Sequence, residues 1–257
     1  MVGARGVREQ VLAEIAARWR EARRVAVLTG AGLSTASGIP DFRSPGGRWS
    51  SYQPVTLQAF LASDAARVEY WRYKGETWQL LQRAEPNPGH LALAELTRAG
   101  RIELLVTQNV DGLHERSGIP AEKLVTIHGT DAFVACLRCG AREPRAGAQA
   151  QWEAGVAVPR CACGAPWKPA TISFGQGLVA EDLERAFDAA EGCDLFVAAG
   201  TSLVVSPINQ MFAIAHQAGA ATAILTASET PYDAQATWLL EDPVERVLPA
   251  LRDHVLG

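Results

Sequence analysis

Apolar positions along this chain follow two alternating rhythms. Residues 7–22 space Val, Leu, Ile, Ala and Trp at helical intervals and predict an amphipathic helix. The unbroken run Val25-Ala26-Val27-Leu28 follows and ends in Thr29-Gly30, which predicts a buried strand feeding a glycine turn. Residues 57–83 return to helical spacing through Leu57, Phe60, Leu61, Val68, Trp71, Trp78 and Leu81. Pro86-Asn87-Pro88-Gly89 interrupts the chain, and a helix resumes from His90 to Arg98. Ile102 to Val106 and Leu124 to Ile127 predict two further strands. Later, Thr171-Ile172-Ser173-Phe174, Leu195-Phe196-Val197-Ala198 and Ala221 to Leu225 are strand-like. Residues 180–190, Pro207 to Ala218 and Val244 to Leu251 are helical between and after them. Strands alternating with helices imply a parallel sheet covered on both faces, so the expected fold class is α/β, doubly wound.

Residues 136–169 break the rhythm. They hold four of the five cysteines with several Gly and Pro, and they predict an inserted module that cannot bury enough surface to fold unaided. The chain has 257 residues, which suits one α/β domain with insertions or two modest domains. With 48% hydrophobic and 20% charged residues it has ample core and is not a disordered chain. The formal net charge of −4 gives no basic excess, so no nucleic-acid partner is expected. No apolar run reaches a membrane-spanning length, and no apolar segment follows the first residues, so neither membrane insertion nor secretion is expected. The cytoplasm is the expected compartment, and oligomeric state is left open.

Chemistry concentrates at the predicted strand ends. Gly30-Ala31-Gly32 lies between a strand and a helix start, where backbone amides can approach a pyrophosphate favoured by a helix N-terminus. A tight turn without a ligand would use the same glycines. The usual third glycine is Thr35, and residues 50–55 offer no acid for a ribose, so a hydride-transferring dehydrogenase fits poorly. A long loop follows, in which Phe42 can cover a reactive face and Asp41 and Arg43 can fix a ligand. Gln108, Asn109 and Asp111 follow one strand and His128 follows another, at the edge where open parallel sheets bind ligands. A histidine there can take a proton near neutral pH. Asn109 and Asp111 can bind ribose hydroxyls or orient a water. His90 is expected to cap a helix, His114 to be structural, and His216 and His254 to lie on helix surfaces.

The paired thiols Cys136-Leu-Arg-Cys139 and Cys161-Ala-Cys163 suit one tetrahedral zinc. Four protein ligands leave no open position, so the metal would be structural, although redox-active or merely buried thiols would give the same pairs. Cys193 is expected to be a buried small hydrophobe.

Taken in order, Gly30-Ala31-Gly32-Leu33-Ser34, Gly38-Ile39-Pro40-Asp41-Phe42-Arg43, Thr107-Gln108-Asn109-Val110-Asp111, His128-Gly129, the four cysteines, Phe174-Gly175 and Gly200-Thr201-Ser202-Leu203 resemble a sirtuin of bacterial type, the NAD-dependent protein deacylase family. The resemblance implies a Rossmann-like domain from residues 1–43, 90–131 and 171–257. It further implies a helical lobe with a cofactor loop at 44–89 and a zinc-binding module at 132–170. Gly30, Ala31, Gly32, Asp41, Phe42, Arg43, Gln108, Asn109, Asp111 and His128 match the NAD pocket. Gly200, Thr201 and Ser202 match the turn at the adenine side. Thr226 stands where the family usually has an asparagine near the adenosine ribose. Cys136, Cys139, Cys161 and Cys163 match the zinc ligands. Ile172, Ser173, Phe174 and Gly175 match the segment that pairs with the acylated-lysine protein or peptide as an added strand.

The implied reaction sends the acyl oxygen to C1′ of the nicotinamide ribose. His128 is the implied base, with Asn109 and Asp111 positioning the ribose. Nicotinamide, O-acyl-ADP-ribose and free lysine are the products. Gln176 stands where an acidic residue is commoner, which implies an altered peptide preference. Sirtuins that prefer succinyl- or malonyl-lysine carry Tyr and Arg three apart. Here Tyr70 is followed by Tyr73, and Tyr73 by Glu76, which argues against an acidic-acyl specialist. Tyr70-Trp71 and Pro86-Asn87-Pro88 look more like the branch with mitochondrial members of weak deacetylase activity, which implies longer acyl groups. ADP-ribosyl transfer to protein and non-catalytic NAD sensing are the rival functions.

Overall fold

A computed structural model describes residues 2–41 and 52–257. In chain order the helices are α1 (Val2–Glu21), α2 (Leu57–Ala62), α3 (Asp64–Arg83), α4 (Pro88–Arg98), α5 (Leu113–Arg116), α6 (Arg145–Glu153), α7 (Ala180–Glu191), α8 (Gln210–Gln217) and α9 (Val244–Leu256). The strands are β1 (Val25–Thr29), β2 (Leu104–Thr107), β3 (Leu124–Thr126), β4 (Gly129–Cys136), β5 (Arg142–Pro144), β6 (Trp167–Thr171), β7 (Leu195–Ala199), β8 (Ala221–Leu225) and β9 (Trp238–Leu240).

Six strands form one parallel sheet in the order β3-β2-β1-β7-β8-β9. The apolar runs of β1, β2, β7 and β8 follow from burial on both faces. Within β1, Val25 and Val27 point to one core, where Ile15 and Trp19 of α1, Leu93 and Leu96 of α4, and Leu248 and Leu251 of α9 pack. Ala26 and Leu28 point to the other, against Ala186 and Ala190 of α7 and Met211 and Phe212 of α8. Each fully buried side chain of this size contributes about 1.5–3 kcal/mol, so the two layers fix the sheet's register.

A second sheet, β5-β4-β6, is antiparallel and lies between β3 and α7 in the chain. Its core is shared: Val134, Cys136 and Trp167 pack with Phe60 of α2 and with Tyr70 and Trp71 of α3. Trp71 donates its indole N–H to the Trp167 carbonyl at 2.8 Å. The lobe and the small module therefore stabilise each other.

Several expected boundaries move. The helix expected over 57–83 is two helices, because Ser63 ends α2 and its hydroxyl caps α3 by accepting from Ala66 N. The strand expected over 171–174 ends at Thr171. Ile172 N turns to the His128 carbonyl at 2.8 Å, and Gly175 takes a positive φ of 76°. The strand expected over 102–106 runs from Leu104 to Thr107, and α8 begins at Gln210 after turns rather than at Pro207. His90 accepts from Asn87 N within a capping box, and His114 is buried with Nε2 2.9 Å from Thr29 Oγ1. His216 and His254 are exposed and Cys193 is buried.

Candidate active site at the sheet's carboxyl edge

Strand order reverses between β1 and β7, and the crevice beyond their carboxyl ends is where such sheets bind ligands. A cavity of about 840 Å³ opens there. Its wall takes in Gly30, Ala31, Gly32 and Asp41, then Gln108, Asn109, Asp111 and His128, then residues 172–175, 200–202 and Thr226. Every sequence-expected cofactor and substrate residue that the structure describes thus faces one space. Phe42 and Arg43 lie outside the described residues.

The glycine turn works differently from the expectation. Gly30 N donates to the Ala199 carbonyl at 3.2 Å and Gly32 N to the Gly200 carbonyl at 2.8 Å. A Cβ on Gly32 would lie 2.9 Å from Gly200 O, and one on Gly200 would lie 2.4 Å from Leu33 N. These glycines let two strand-end turns interlock. The Gly30 and Gly32 amides are spent on the Ala199 and Gly200 carbonyls and the Gly200 amide on the Leu225 carbonyl, and the pocket-lining Ala31 opens the short 3-10 helix Ala31–Ser37 that follows.

A hydrogen-bonded chain links the polar strand ends. Gln108 Nε2 donates to Thr29 O at 3.2 Å and to Thr201 Oγ1 at 2.8 Å, tying the β2 end to the β7 turn. Asn109 Nδ2 donates to Gly30 O at 3.0 Å and to Ser34 Oγ at 3.1 Å. Ser34 donates in turn to Asp111 Oδ2 at 2.7 Å. Burial raises the Asp111 carboxyl above its ordinary value, opposed by the Leu113 N–H and the Ser34 hydroxyl. Ser34 holds both polar residues in place, a role only its place in the glycine motif hinted at.

His128 Nδ1 is 3.0 Å from the Gln108 carbonyl oxygen. A carbonyl only accepts, so Nδ1 carries the proton and Nε2 keeps the lone pair. Burial lowers the imidazole below its ordinary value, opposed by its hydrogen bond to the Gln108 carbonyl.

The opposite wall is one face of α3: Tyr70, Tyr73, Lys74, Thr77 and Leu81. Sequence reasoning weighed Tyr70 and Tyr73 for acyl preference but did not place Lys74, Thr77 and Leu81 beside them, although the i, i+3, i+4, i+7 spacing was available. The Tyr70 hydroxyl lies 3.2 Å from Thr171 Oγ1, beside the segment expected to hold peptide. Burial alone would raise this phenol, but the Lys74 and Lys168 ammoniums bring it below its ordinary value. Tyr73 stacks on Tyr52 with ring centres 3.8 Å apart. At the β8 end, Thr226 Oγ1 and Ser228 Oγ are 3.3 Å apart. The cavity therefore offers hydroxyls at one end and a basic nitrogen with an amide at the other. That donor set and volume suit a dinucleotide.

The four paired cysteines converge 27 residues of chain apart at their ends, with all four Sγ atoms within 4.8 Å of one another. Cys136 and Cys163 sulfurs are 3.5 Å apart and Cys139 and Cys161 sulfurs 3.7 Å, and none is in a disulfide. A tetrahedral zinc with bonds of about 2.3 Å spaces its sulfurs about 3.8 Å apart, so the donors fit this metal. Backbone N–H groups of Cys139 and Arg138 hold the Cys136 thiol below its ordinary value.

The model of the Sir2 family matches residues 30–207, a span that runs from the glycine turn to the loop after β7. An NAD-dependent protein deacetylase of Rhodopseudomonas palustris is 39% identical over 228 residues, covering 88% of this chain and 90% of that protein. The NAD-dependent protein deacetylase 2 of Streptomyces coelicolor is 40% identical over 232 residues, covering 88% and 95%. Among solved structures, a Sir2–p53 peptide–NAD+ complex superposes with a TM-score of 0.86 at 31% identity, covering 93% of this chain and 96% of that one. Sequence and fold thus agree, and this chain belongs to the Sir2 family.

Proposed function

We propose that this protein is an NAD-dependent protein-lysine deacylase that releases nicotinamide, O-acyl-ADP-ribose and free lysine. The observation that carries the reading is His128, whose Nδ1 is fixed on the Gln108 carbonyl while the ring lines the same cavity as Asn109 and the glycine turns. When bound, NAD supplies a labile glycosidic bond whose cleavage makes the ribose an acyl acceptor. Asn109 and Asp111, braced by Ser34, orient the ribose end. Thr201, Ser202 and Thr226 hold the adenosine end. His128 Nε2 takes a proton from a ribose hydroxyl so that the acyl group can move. Residues 172–175 pair with the backbone of the acylated peptide, and Ile172 N already ties this segment to the His128 carbonyl. Walls that exclude water favour acyl transfer over hydrolysis. Cys136, Cys139, Cys161 and Cys163 hold a structural zinc. No helix among the described residues is long and apolar enough to cross a membrane. Thiols kept for a metal fit a reducing compartment, and we place the protein in the cytoplasm, which cell fractionation reads directly.

The test is NAD-dependent nicotinamide release across acetyl-, propionyl-, succinyl- and myristoyl-lysine peptides, with labelled ADP-ribose followed in parallel. Label is expected in O-acyl-ADP-ribose, and His128→Ala is expected to abolish it with an unchanged melting temperature. Label on protein would replace deacylation by ADP-ribosyl transfer, and normal turnover by a folded His128→Ala would remove the base.

A further inference from the structure

Behind the pocket face of α3 lies a group of buried charges that the reaction does not use. Asp131, three residues after His128, is 2% exposed, and Arg145 at the start of α6 is wholly buried. Arg145 Nη1 donates to Asp131 Oδ1 at 2.9 Å, and Nη2 donates to the Lys74 carbonyl at 3.0 Å and to Gln149 Oε1 at 3.2 Å. Its guanidinium also lies 4.9 Å and 5.1 Å from the ring centres of Trp71 and Trp78. Lys74 Nζ, from the cavity wall, is 3.3 Å from the same Asp131 oxygen. The Asp131 backbone N–H donates to Val110 O at 2.9 Å, between Asn109 and Asp111. Lys168 Nζ donates to the carbonyls of Pro169 and Thr171 and also interacts electrostatically with Tyr70 and Asp131.

Arg145 makes the shorter ion pair with Asp131, 2.9 Å against 3.3 Å for Lys74, so the Lys74 contact acts as a constraint on Lys74. We propose that Asp131 is a specificity-determining residue: it holds the Lys74 ammonium against its own carboxylate, closing this wall to acyl groups that end in a carboxylate and leaving it open to uncharged ones. An incoming carboxylate would meet an ammonium already engaged and a buried like charge beside it, an element that works by repulsion. The inference rests on the reading of the cavity as an acyl-lysine site.

The experiment compares kcat/KM for one peptide carrying butyryl- or succinyl-lysine, matched in chain length. Wild type is expected to favour butyryl. Asp131→Asn keeps the shape and frees Lys74, so the butyryl-to-succinyl ratio is expected to fall about tenfold or more. Combining it with Lys74→Met is expected to return the ratio to within about threefold of wild type, because no freed cation remains. A purely structural role would lower both substrates together and leave the ratio in place, which overturns the inference, as does a wild-type preference for succinyl. Should Asp131→Asn not fold, Lys74→Met alone decides: a tenfold loss confined to succinyl means that Lys74 served that substrate, against the inference, and a ratio held near wild type supports it. Turnover of no acylated peptide by wild type would overturn this inference and the deacylase reading together, whereas turnover with an unmoved ratio overturns this inference alone.

Discussion

Gly200→Ala probes the interlocked turns most directly. Gly200 has a φ of +62°, which alone costs an alanine about 1–2 kcal/mol. The new Cβ would sit 2.4 Å from Leu33 N and 2.9 Å from the Gly32 carbon, both backbone atoms. Reaching an ordinary contact of 3.4 Å needs a retreat of about 1 Å, which stretches the 2.8 Å bond from Gly32 N to Gly200 O. Overpacking of this kind costs about 1–3 kcal/mol, and loss of the bond about 1 more. The expected destabilisation is therefore about 3–6 kcal/mol, read as a shift in the urea midpoint. NAD affinity is expected to fall as well, read by calorimetry, because both turns line the cavity. Gly38→Ala is the control. Gly38 also has a positive φ, of 83°, but among the described residues beyond its chain neighbours no atom lies within 4 Å of its would-be Cβ. It is expected to cost about 1–2 kcal/mol and to leave NAD affinity in place. Equal destabilisation by the two variants, with NAD affinity untouched in both, would refute the argument that close approach governs this turn.

Acidification separates catalysis from stability. Because burial lowers His128, the acid limb of kcat/KM is expected at an apparent pKa below the ordinary imidazole value of about 6.5, and a limb above it would contradict the buried base. His90 is lowered from 6.5 to about 4, first by burial and then by Arg116. The unfolded chain therefore binds the extra proton first on acidification, so this contribution is complete above pH 6.5 and is lost between 6.5 and about 4. It amounts to about 3 kcal/mol. His90→Gln is expected to flatten the pH dependence of the urea midpoint in that window, and an unchanged slope would remove His90 as its source. One zinc per chain is expected by elemental analysis, and stripping it with a chelator is expected to lower the melting temperature and to change the near-ultraviolet dichroism of Trp71 and Trp167 in the shared core. An unaltered spectrum would mean that the lobe does not depend on the metal.

The parts that were legible in the sequence are those where one constraint dominates. The runs at Val25, Leu104, Leu195 and Ala221 stand out because strands buried on both faces are almost entirely apolar. The four cysteines stand out by spacing, since two chelating pairs can meet without knowledge of the fold. The β6 strand was hidden by Pro169, which is tolerated because β6 pairs on one side only. Trp238–Leu240 is too short to carry a period. The least visible feature was the cluster of Lys74, Asp131 and Arg145. Each looks like an ordinary charged residue, and only the docking of α6 on α3 brings them together.

The pairing of β1 with β7 also governs how this molecule is born. Val25 sits opposite Leu195, so the central seam joins segments about 170 residues apart. On a ribosome, β1 is made early and must wait for most of the polypeptide before its second neighbour emerges. Until then one edge of a wholly buried strand is open to wrong partners, which makes nascent chains cut short before β7 the species most in need of chaperones.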